Sequence, residues 1–405
     1  MIRKRALALF LAVMAVVTPA MALDGDDFTM AFRAHAIVDA GSVSQRRHPA
    51  GQDYNSGAVL RRAQVNFGGH LAGGWRYSLG GVFFSRGSQS GTRFTGSVEY
   101  QHENSFGFRA GVFSAPSGMG ANTIAINELM LERPSAVTIA RGTAAAPSRA
   151  TVSGFTQGPR HLVAVSVTAG AIGLGGSYDN QQAVVGRAAG LVVSDGDLNW
   201  VIDGAISHVF RLHDTAGPGT GMVRLRDGPE MSLDITRPLD TGNLDAKALT
   251  SWNMETGVTW RSTYLQGGFF HYRVTRRVAV PDPSFQGWYV QGSWILTGER
   301  RPYNPDTATF RPPSPSAPLG RGGWGALELT ARYSGVDLNF NPFAGAAAGG
   351  VSGGRQDVFA AGINWYQTAR VRFSLVYDRF DVDHPAASAR DFSGDALVLR
   401  AQYAM

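Results

Sequence analysis

Arginine side chains are the residues of this 405-residue chain best suited to binding chemistry. They carry nearly all of the positive charge, because Lys4 and Lys247 are the only lysines in the sequence. A guanidinium presents a planar fork of N–H donors that matches the oxygens of phosphate or carboxylate groups. The chain therefore offers groups that could bind oxyanions, although the codon bias of a GC-rich genome explains the excess of arginine equally well.

Period-two alternation of apolar and polar residues is the main structural signal along the chain. Between positions 250 and 261, Trp252, Met254 and Trp260 share one face, whereas Glu255 and Arg261 share the other. Repeated segments of this kind, separated by Gly, Asn, Asp, Pro and Ser, are typical of a transmembrane β-barrel. A soluble β-sandwich also alternates, so alternation alone does not decide between the two.

The lengths of the connections favour the barrel. Short turns alternate with long loops, as in outer-membrane barrels, which place short turns on the periplasmic side. An even number of strands then puts both termini on that side. We expect an all-β fold, a 16-stranded antiparallel transmembrane β-barrel with inward-folded loops. The predicted strands are 28–40, 58–71, 74–86, 94–101, 106–113, 151–157, 160–169, 183–193, 198–210, 247–260, 263–275, 287–297, 323–337, 356–367, 370–381 and 394–404.

Two long connections are candidates for folding into the lumen. The first, 114–150, has room to narrow a pore, with an ordinary surface loop as the alternative. The second, 298–322, falls by parity on the periplasmic face, where short turns are expected. Either a strand has been missed there or the segment folds up into the lumen, and we expect the latter. The charged residues of the first connection are Glu128, Glu132, Arg133, Arg141 and Arg149.

We select the arginines of a predicted anion pathway by two criteria. The first is lumen-facing parity within a strand, and the second is a position in one of the two long connections. Arg61 is the exception, because its parity faces lipid, where an arginine at mid-depth costs about 2–4 kcal/mol. It must therefore lie near a rim, at a subunit contact or bent inward. For any single arginine, pairing with a neighbouring carboxylate in a solvated lumen is the alternative to a role in transport. The predicted pathway residues are Arg33, Arg61, Arg62, Arg76, Arg141, Arg300 and Arg301.

The N-terminal residues predict secretion. Arg3, Lys4 and Arg5 precede an apolar core at 6–17 and a small-residue cleavage site, so we expect a signal peptide at 1–22 and a porin barrel at 23–405. The apolar core is too short to span a bilayer as a helix, which argues against an N-terminal anchor. Losing the three basic residues leaves 34 Lys and Arg against 31 Asp and Glu, a net charge of +3. That charge is too small to predict a nucleic-acid partner.

Other classes of protein fit the sequence poorly. Beyond the signal no run of about 18 apolar residues predicts a transmembrane helix. The chain has no cysteine, so disulfides, thiolate metal sites and thiol nucleophiles are excluded. It contains neither an H-E-x-x-H motif nor a phosphate-binding loop. We expect no enzymatic activity, no cofactor and no metal.

The order of several short motifs resembles the phosphate-selective porin O and P family over essentially the whole mature chain. The most specific element is 296–303, L-T-G-E-R-R-P-Y. The others follow in the family's order and are individually weak. They are Arg61-Arg62-Ala63, Glu132-Arg133, Pro229-Glu230, Gly325-Ala326-Leu327-Glu328, Asn364-Trp365-Tyr366 and Arg400-Ala401-Gln402.

This resemblance implies a homotrimer of 16-stranded barrels in the outer membrane of a Gram-negative bacterium. It also implies passive diffusion of small anions, phosphate or related oxyanions, with Arg33, Arg61 and Arg62 matching arginines at the constriction. Phosphate-specific members line the vestibule with lysines, which are nearly absent here. A weakly selective general or sugar-acid porin, and a non-conducting envelope scaffold, therefore stay open as alternatives.

Overall fold

The computed structural model describes residues 22–25, 28–49, 51–86, 89–102, 105–172, 179–214, 219–231 and 233–405. Residues 1–21 of the expected signal peptide lie outside this range, so its cleavage near Ala22-Leu23 stays a prediction. Ala22–Gly25 forms a short strand that pairs with the start of the first barrel strand.

Sixteen long strands run through the described residues, each antiparallel to the next. The last pairs with the first, beginning at His35 opposite Ala404, and this pairing closes the barrel. The predicted 16-stranded barrel is confirmed. The strands are β1 Phe28–Arg47, β2 Gly57–Leu71, β3 Trp75–Arg86, β4 Gln89–His102, β5 Phe106–Val112, β6 Arg149–Gln157, β7 His161–Ala171, β8 Gln182–Asp195, β9 Leu198–Arg211, β10 Leu244–Trp260, β11 Thr263–Arg276, β12 Ser284–Ile295, β13 Ala326–Phe340, β14 Val351–Tyr366, β15 Val371–Asp383 and β16 Phe392–Ala404.

The two faces of the barrel differ as the alternation predicts. On β10, Asn253 and Glu255 are buried in the interior, whereas Met254 and Trp260 are exposed on the outside. Apolar side chains cover the outer face. Exposed tryptophans other than Trp252, which lies in the middle of β10, are near strand ends, where membrane interfaces favour them. The exposed tryptophans are Trp75, Trp200, Trp252, Trp260, Trp294 and Trp324. Among the described residues, no helix is long and apolar enough to cross a membrane.

Three long connections fold over or into the lumen. The inner loop, 113–148, contains helices α1 Met119–Asn122 and α2 Ser135–Ala144 and the 3-10 turn Ala125–Asn127. The cap loop, 212–243, contains the short strands Met222–Val223, Arg226–Asp227 and Leu239–Asp240. The lower segment, 296–325, contains the hairpin Tyr303–Asn304 and Thr309–Phe310. The remaining 3-10 turns are Ala72–Gly74, Pro342–Ala344, Ala346–Ala348 and Ser388–Arg390.

The lower segment folds into the lumen, as its position predicted. Ala308 and Phe310 are almost completely buried. The Phe310 ring lies 5.2 Å from that of Tyr264, a lumen-facing residue of β11. Because Leu265 beside it is exposed to the outside, Tyr264 must point inward. No strand is missing from this connection; its length fills the periplasmic end of the barrel.

Candidate functional site

Side chains of the barrel wall hold the inner loop by its backbone carbonyls. Arg372 donates to the Glu128 carbonyl at 2.8 Å, and Arg332 donates to the Glu132 carbonyl at 2.7 Å. Buried carbonyls need such donors, because an unpaired one costs about as much as a lost hydrogen bond. The loop is therefore fixed across the lumen. Further donors to its carbonyls are Asn253 to Ser117, Asn364 to Leu129, Gln402 to Ile126 and Tyr272 to Ala136.

Close approach of the loop to the wall requires glycine at position 118. Gly118 has a φ of +133°, and a Cβ there would lie 2.3 Å from Oε1 of Glu255. The Gly120 N–H donates to Oε2 of the same carboxylate at 2.9 Å. Glu255 thus ties the start of α1 to β10.

The inner loop packs against one side of the barrel and leaves the other open. Helix α2 contacts β8 to β13. Across the lumen, a cavity of about 620 Å³ separates the loop from β2, β3 and β4, with the cap loop above it. Five arginines from the strands and the inner loop line this cavity, and we call them the arginine cluster. They are Arg61, Arg62, Arg93, Arg133 and Arg141.

A β-bulge brings the adjacent Arg61 and Arg62 into the lumen together. The pairing of β2 with β3 jumps from Leu60 opposite Ser85 to Ala63 opposite Phe83. A bulge adds a residue to one strand and re-aims its side chains. Arg61 consequently binds both carboxylate oxygens of Glu132 on the inner loop. Of the three positions that parity allowed for Arg61, the structure shows the one bent inward.

Arg62 and Arg93 face the cavity without a carboxylate. Among the described residues, neither has one within 4.0 Å. Arg62 instead donates to Oε1 of Gln64 at 3.2 Å, and Gln64 donates to Oδ1 of Asn66 at 3.1 Å. A polar track therefore runs down the lumen face of β2.

Arg141 reaches the same cavity from α2 and donates to the Ser114 hydroxyl at 2.7 Å. Burial, together with the charges of Arg133, Arg62 and Arg93, holds the pKa of Arg141 well below its ordinary value. Glu132 pairs with Arg61, and Glu128 accepts from Arg133 at 3.1 Å. The cap loop adds three carboxylates and three arginines to the cavity lining: Asp227, Glu230, Asp234, Arg224, Arg226 and Arg237. Positive charge exceeds negative here, so an anion in the cavity would relieve repulsion among the guanidiniums.

Two further predicted arginines lie on the same side of the lumen, nearer the periplasmic end. Arg33 of β1 and Arg76 of β3 line a cavity of about 380 Å³ with Arg109, Glu99 and Asp306. Glu99 lies 3.6 Å from Arg76 and 3.9 Å from Arg109. A second, weaker excess of positive charge thus follows the arginine cluster along the barrel axis.

Arg300 and Arg301, also predicted as pathway residues, lie apart from the arginine cluster. Arg301 is 2% exposed and pairs with the buried carboxylate of Glu328 at 2.7 and 2.9 Å, so its charge is neutralised. Arg300 is exposed at the rim and donates to the Gly196 carbonyl, in the turn between β8 and β9. Arg301 anchors the lower segment to β13, and Arg300 caps the turn between β8 and β9.

Four arginines on the packed side of the lumen are paired with carboxylates, whereas Arg372 on β15 donates to backbone carbonyls of the inner loop. We call this the paired side. Pairing with a neighbouring carboxylate is the alternative to a role in transport that the sequence allowed for a lumen arginine. The pairs are Arg187 with Asp203 at 2.5 Å, Arg332 with Glu230 at 2.6 Å, Arg301 with Glu328 at 2.7 Å and Arg400 with Asp39 at 2.7 Å.

The predicted pathway lacks two members of the cluster, Arg133, which was named only among the charged residues of the first long connection, and Arg93. Arg93 fell in the predicted loop 87–93, whereas β4 begins at Gln89. The alternation of Thr95, Ser97 and Glu99 on the lumen face, extended two residues backwards, would have included it.

A family model and a curated relative, both named as porins, match this chain. The family model described as phosphate-selective porin O and P matches residues 32–405. Porin O of Pseudomonas aeruginosa is 30% identical over 126 residues, which are 31% of this chain and 28% of that protein. Two curated relatives match the chain, porin O among them, and the match covers a third or less of the length of each.

Two solved structures share the barrel fold. OprB of Pseudomonas putida has a TM-score of 0.58 at 10% identity, over 92% of this chain and 93% of that one. An anion-selective porin from Comamonas acidovorans has a TM-score of 0.50 at 12% identity, over 93% and 100%. At such identities the likeness shows the barrel architecture and no more.

Proposed function

The chain belongs to the phosphate-selective porin O and P family of the outer membrane, and from that premise we propose that it is a channel for the passive diffusion of small anions. The solutes would be phosphate and related oxyanions. One observation carries the proposal: arginines outnumber carboxylates around one cavity of the lumen. Its described lining has eight arginines, among them the five of the arginine cluster, and four carboxylates, Glu132, Asp227, Glu230 and Asp234.

The physical basis is a fixed positive field at a narrow, partly desolvated passage. Two unit charges about 4 Å apart interact by about 4 kcal/mol at an effective dielectric of about 20, compared with about 1 kcal/mol in water. Guanidinium forks replace part of an oxyanion's hydration shell with directed N–H donors. Arg62 and Arg93 contribute charges that no carboxylate within 4.0 Å offsets among the described residues.

The proposal names oxyanions as a class because arginine supplies the donors. Lys247 is the sole lysine outside the expected signal peptide, and it is exposed on β10. Arginine recognises phosphate and carboxylate alike. Sugar acids and other carboxylates would therefore share the path with phosphate.

Reversal potentials test the selectivity. Purified protein in a planar bilayer, with a KCl gradient, should show a potential of the sign set by chloride permeation. Phosphate added at low concentration should reduce the chloride current, because it competes for the same arginines. A reversal potential set by potassium would contradict the proposal. Chloride preference without block by phosphate would point to a weakly selective porin, and absent conductance to a scaffold barrel.

Assembly into a homotrimer is a second part of the proposal and rests on family membership. Native mass spectrometry of the detergent-extracted protein should show three copies of the chain. A monomer under conditions that preserve channel activity would contradict it.

A further inference from the structure

A group of basic residues stands on the outer face of the barrel, away from the lumen. Arg273 on β11 and Lys247 on β10 are exposed, and His208 on β9 is exposed beside them. Their inward-pointing neighbours on the same strands, among them Tyr272, Val274 and Val209, are buried. Strand alternation therefore directs His208 and Arg273 toward the membrane. Lys247 shares the parity of the buried Leu249, and its exposure comes from the β-bulge that it occupies. We call these three basic residues the outer basic patch.

Strand register sets the spacing of the patch. His208 lies opposite Thr250 on β10, and Thr250 lies opposite Arg273 on β11. Neighbouring strands are about 4.8 Å apart, so the backbones of His208 and Arg273 are about 10 Å apart. A ring nitrogen of His208 and the Thr250 hydroxyl lie 2.9 Å apart. Lys247 occupies the irregularity in the pairing between Ala246 and Ala248, just above this row.

The height of the patch places it at the edge of the lipid's hydrocarbon. Trp260 and Trp294 both pair with Thr263 and mark the periplasmic end of the apolar outer face. Arg273 is ten residues further along β11, which at a rise of about 3.4 Å and a tilt of about 40° is about 25 Å higher. The apolar band of such barrels is about 25 Å tall. Arg273 therefore meets the headgroups of the outer leaflet.

Opposing negative charge is weak around the patch. Within the described part of the chain, no carboxylate lies within 4.0 Å of Arg273 or Lys247. Asp245, the acidic residue near them on β10, is paired with Arg277 at 2.7 Å. Arg379 on β15 is an exposed arginine outside the patch. It stands opposite Asp395 on β16, whose carboxylate accepts from Arg46 and from the Tyr377 hydroxyl.

Apolar surface continues directly below the patch. The Trp252 ring packs 5.7 Å from that of Phe269 and stacks 5.6 Å from that of His271. Ile206 and Met254 beside them are more than half exposed. Cations at headgroup level above an apolar strip match a lipid that has phosphate groups and acyl chains.

We propose that the outer basic patch is a binding site for a phosphate-bearing glycolipid of the outer leaflet. Lys247 and Arg273 hold its phosphate oxygens, His208 and Thr250 complete the polar row, and the acyl chains lie along Trp252, Phe269 and Met254. Since a basic residue near an anionic membrane surface contributes about 1 kcal/mol, losing two should weaken binding at least about tenfold. The site does not depend on the selectivity of the pore.

Titration with diphosphoryl lipid A, followed by native mass spectrometry of the detergent-solubilised protein, tests the site. The K247A/R273A variant should bind at least about tenfold more weakly than the unmodified chain. Arg379→Ala, a matched loss of an outward arginine beside a carboxylate, should change binding less than about twofold. Phosphatidylethanolamine should bind the unmodified chain weakly. Single-channel conductance of the double variant should be unchanged, which shows that the barrel is folded.

Several results would overturn the assignment. Equal lipid A binding by K247A/R273A and the unmodified chain would remove the site. So would an equal loss in R379A, because attraction would then be unspecific. A change in oligomeric mass of the double variant, with lipid binding retained, would assign the patch to contact with a second copy.

Discussion

The two sides of the lumen use the same residue type for opposite purposes. On the paired side, Arg301 and Arg332 are buried against Glu328 and Glu230 and anchor the lower segment and inner loop. On the open side, Arg62 and Arg93 face a cavity with no carboxylate partner among the described residues. The difference lies in the neighbours, since a guanidinium within reach of a buried carboxylate is neutralised, and one facing water keeps its field. Paired arginines build the channel and unpaired arginines would select its solute.

Breaking a pair on the paired side should have the largest effect on stability. Glu328 accepts from Arg301, Ser293, Asn364 and Tyr366. Glu328→Ala leaves Arg301 buried without a counter-charge, and we expect a loss of about 3–5 kcal/mol in the free energy of unfolding. Urea unfolding in detergent would measure it.

The double variant R301M/E328L provides the control for that experiment. Replacing both charges by apolar groups removes the unpaired charge, so it should cost much less than Glu328→Ala alone. A loss below about 1 kcal/mol in the single variant would show that the paired side is not held by its ion pairs.

Moving the inner loop should have the next largest effect. Gly118→Ala introduces a Cβ where Glu255 is 2.3 Å away, at a φ of +133°. We expect a loss of about 1–3 kcal/mol in stability and an altered single-channel conductance, because the loop must shift toward the open side. Gly142→Ala in α2 is the matched control, since nothing lies within 4 Å of its Cβ. It should leave conductance unchanged and gain up to about 1 kcal/mol. Unchanged conductance in G118A would show that the position of the inner loop does not determine the conductance of the pore.

Removing a negative charge from the open side should increase the preference of the channel for anions. Glu132→Gln frees Arg61 from its partner carboxylate. The ratio of anion to cation permeability should rise about twofold, because one unit of charge near the path changes ion energies by a fraction of a kcal/mol in a wet lumen. Reversal potentials in a KCl gradient would measure the ratio. A fall in the ratio would mean that Glu132 holds Arg61 in place more than it cancels its charge.

A modest pH dependence is expected from Asp227 of the cap loop, which lines the same cavity. Burial and the nearby charge of Glu230 raise the pKa of Asp227 to about 7. The carboxyl is mostly neutral below a pH of about 7 and mostly negative above it. The preference for anions should therefore fall as the pH rises from about 6 to about 8. In Asp227→Asn the fall should disappear, and a pH dependence that persists in this variant would assign it to other groups.

The barrel itself could be predicted from the sequence, because alternation is repeated in most of the strands and register follows from which face is apolar. The bend at Arg61 could not, since a bulge breaks the parity on which the prediction depends. Arg93 was missed because its neighbours Ser90, Gly91 and Thr92 are polar or small on both faces and give no alternation.

The fate of the lower segment was only half predictable. Its length at a periplasmic position indicated that it enters the lumen. That Arg301 would meet Glu328 depends on how the segment folds back on β13, a long-range contact that leaves no mark in local sequence. Whether an arginine is paired or open is thus a property of the tertiary structure.

Reversal potential in the R62Q/R93Q variant tests most directly whether the open side sets selectivity. Compared with the unmodified chain in the same KCl gradient, its anion-to-cation permeability ratio should fall at least about threefold, since two unpaired charges leave the path. Arg300→Ala, which removes a rim arginine bound to the Gly196 carbonyl, should leave the ratio unchanged. A ratio in R62Q/R93Q equal to that of the unmodified chain, or an equal fall in R300A, would contradict the account.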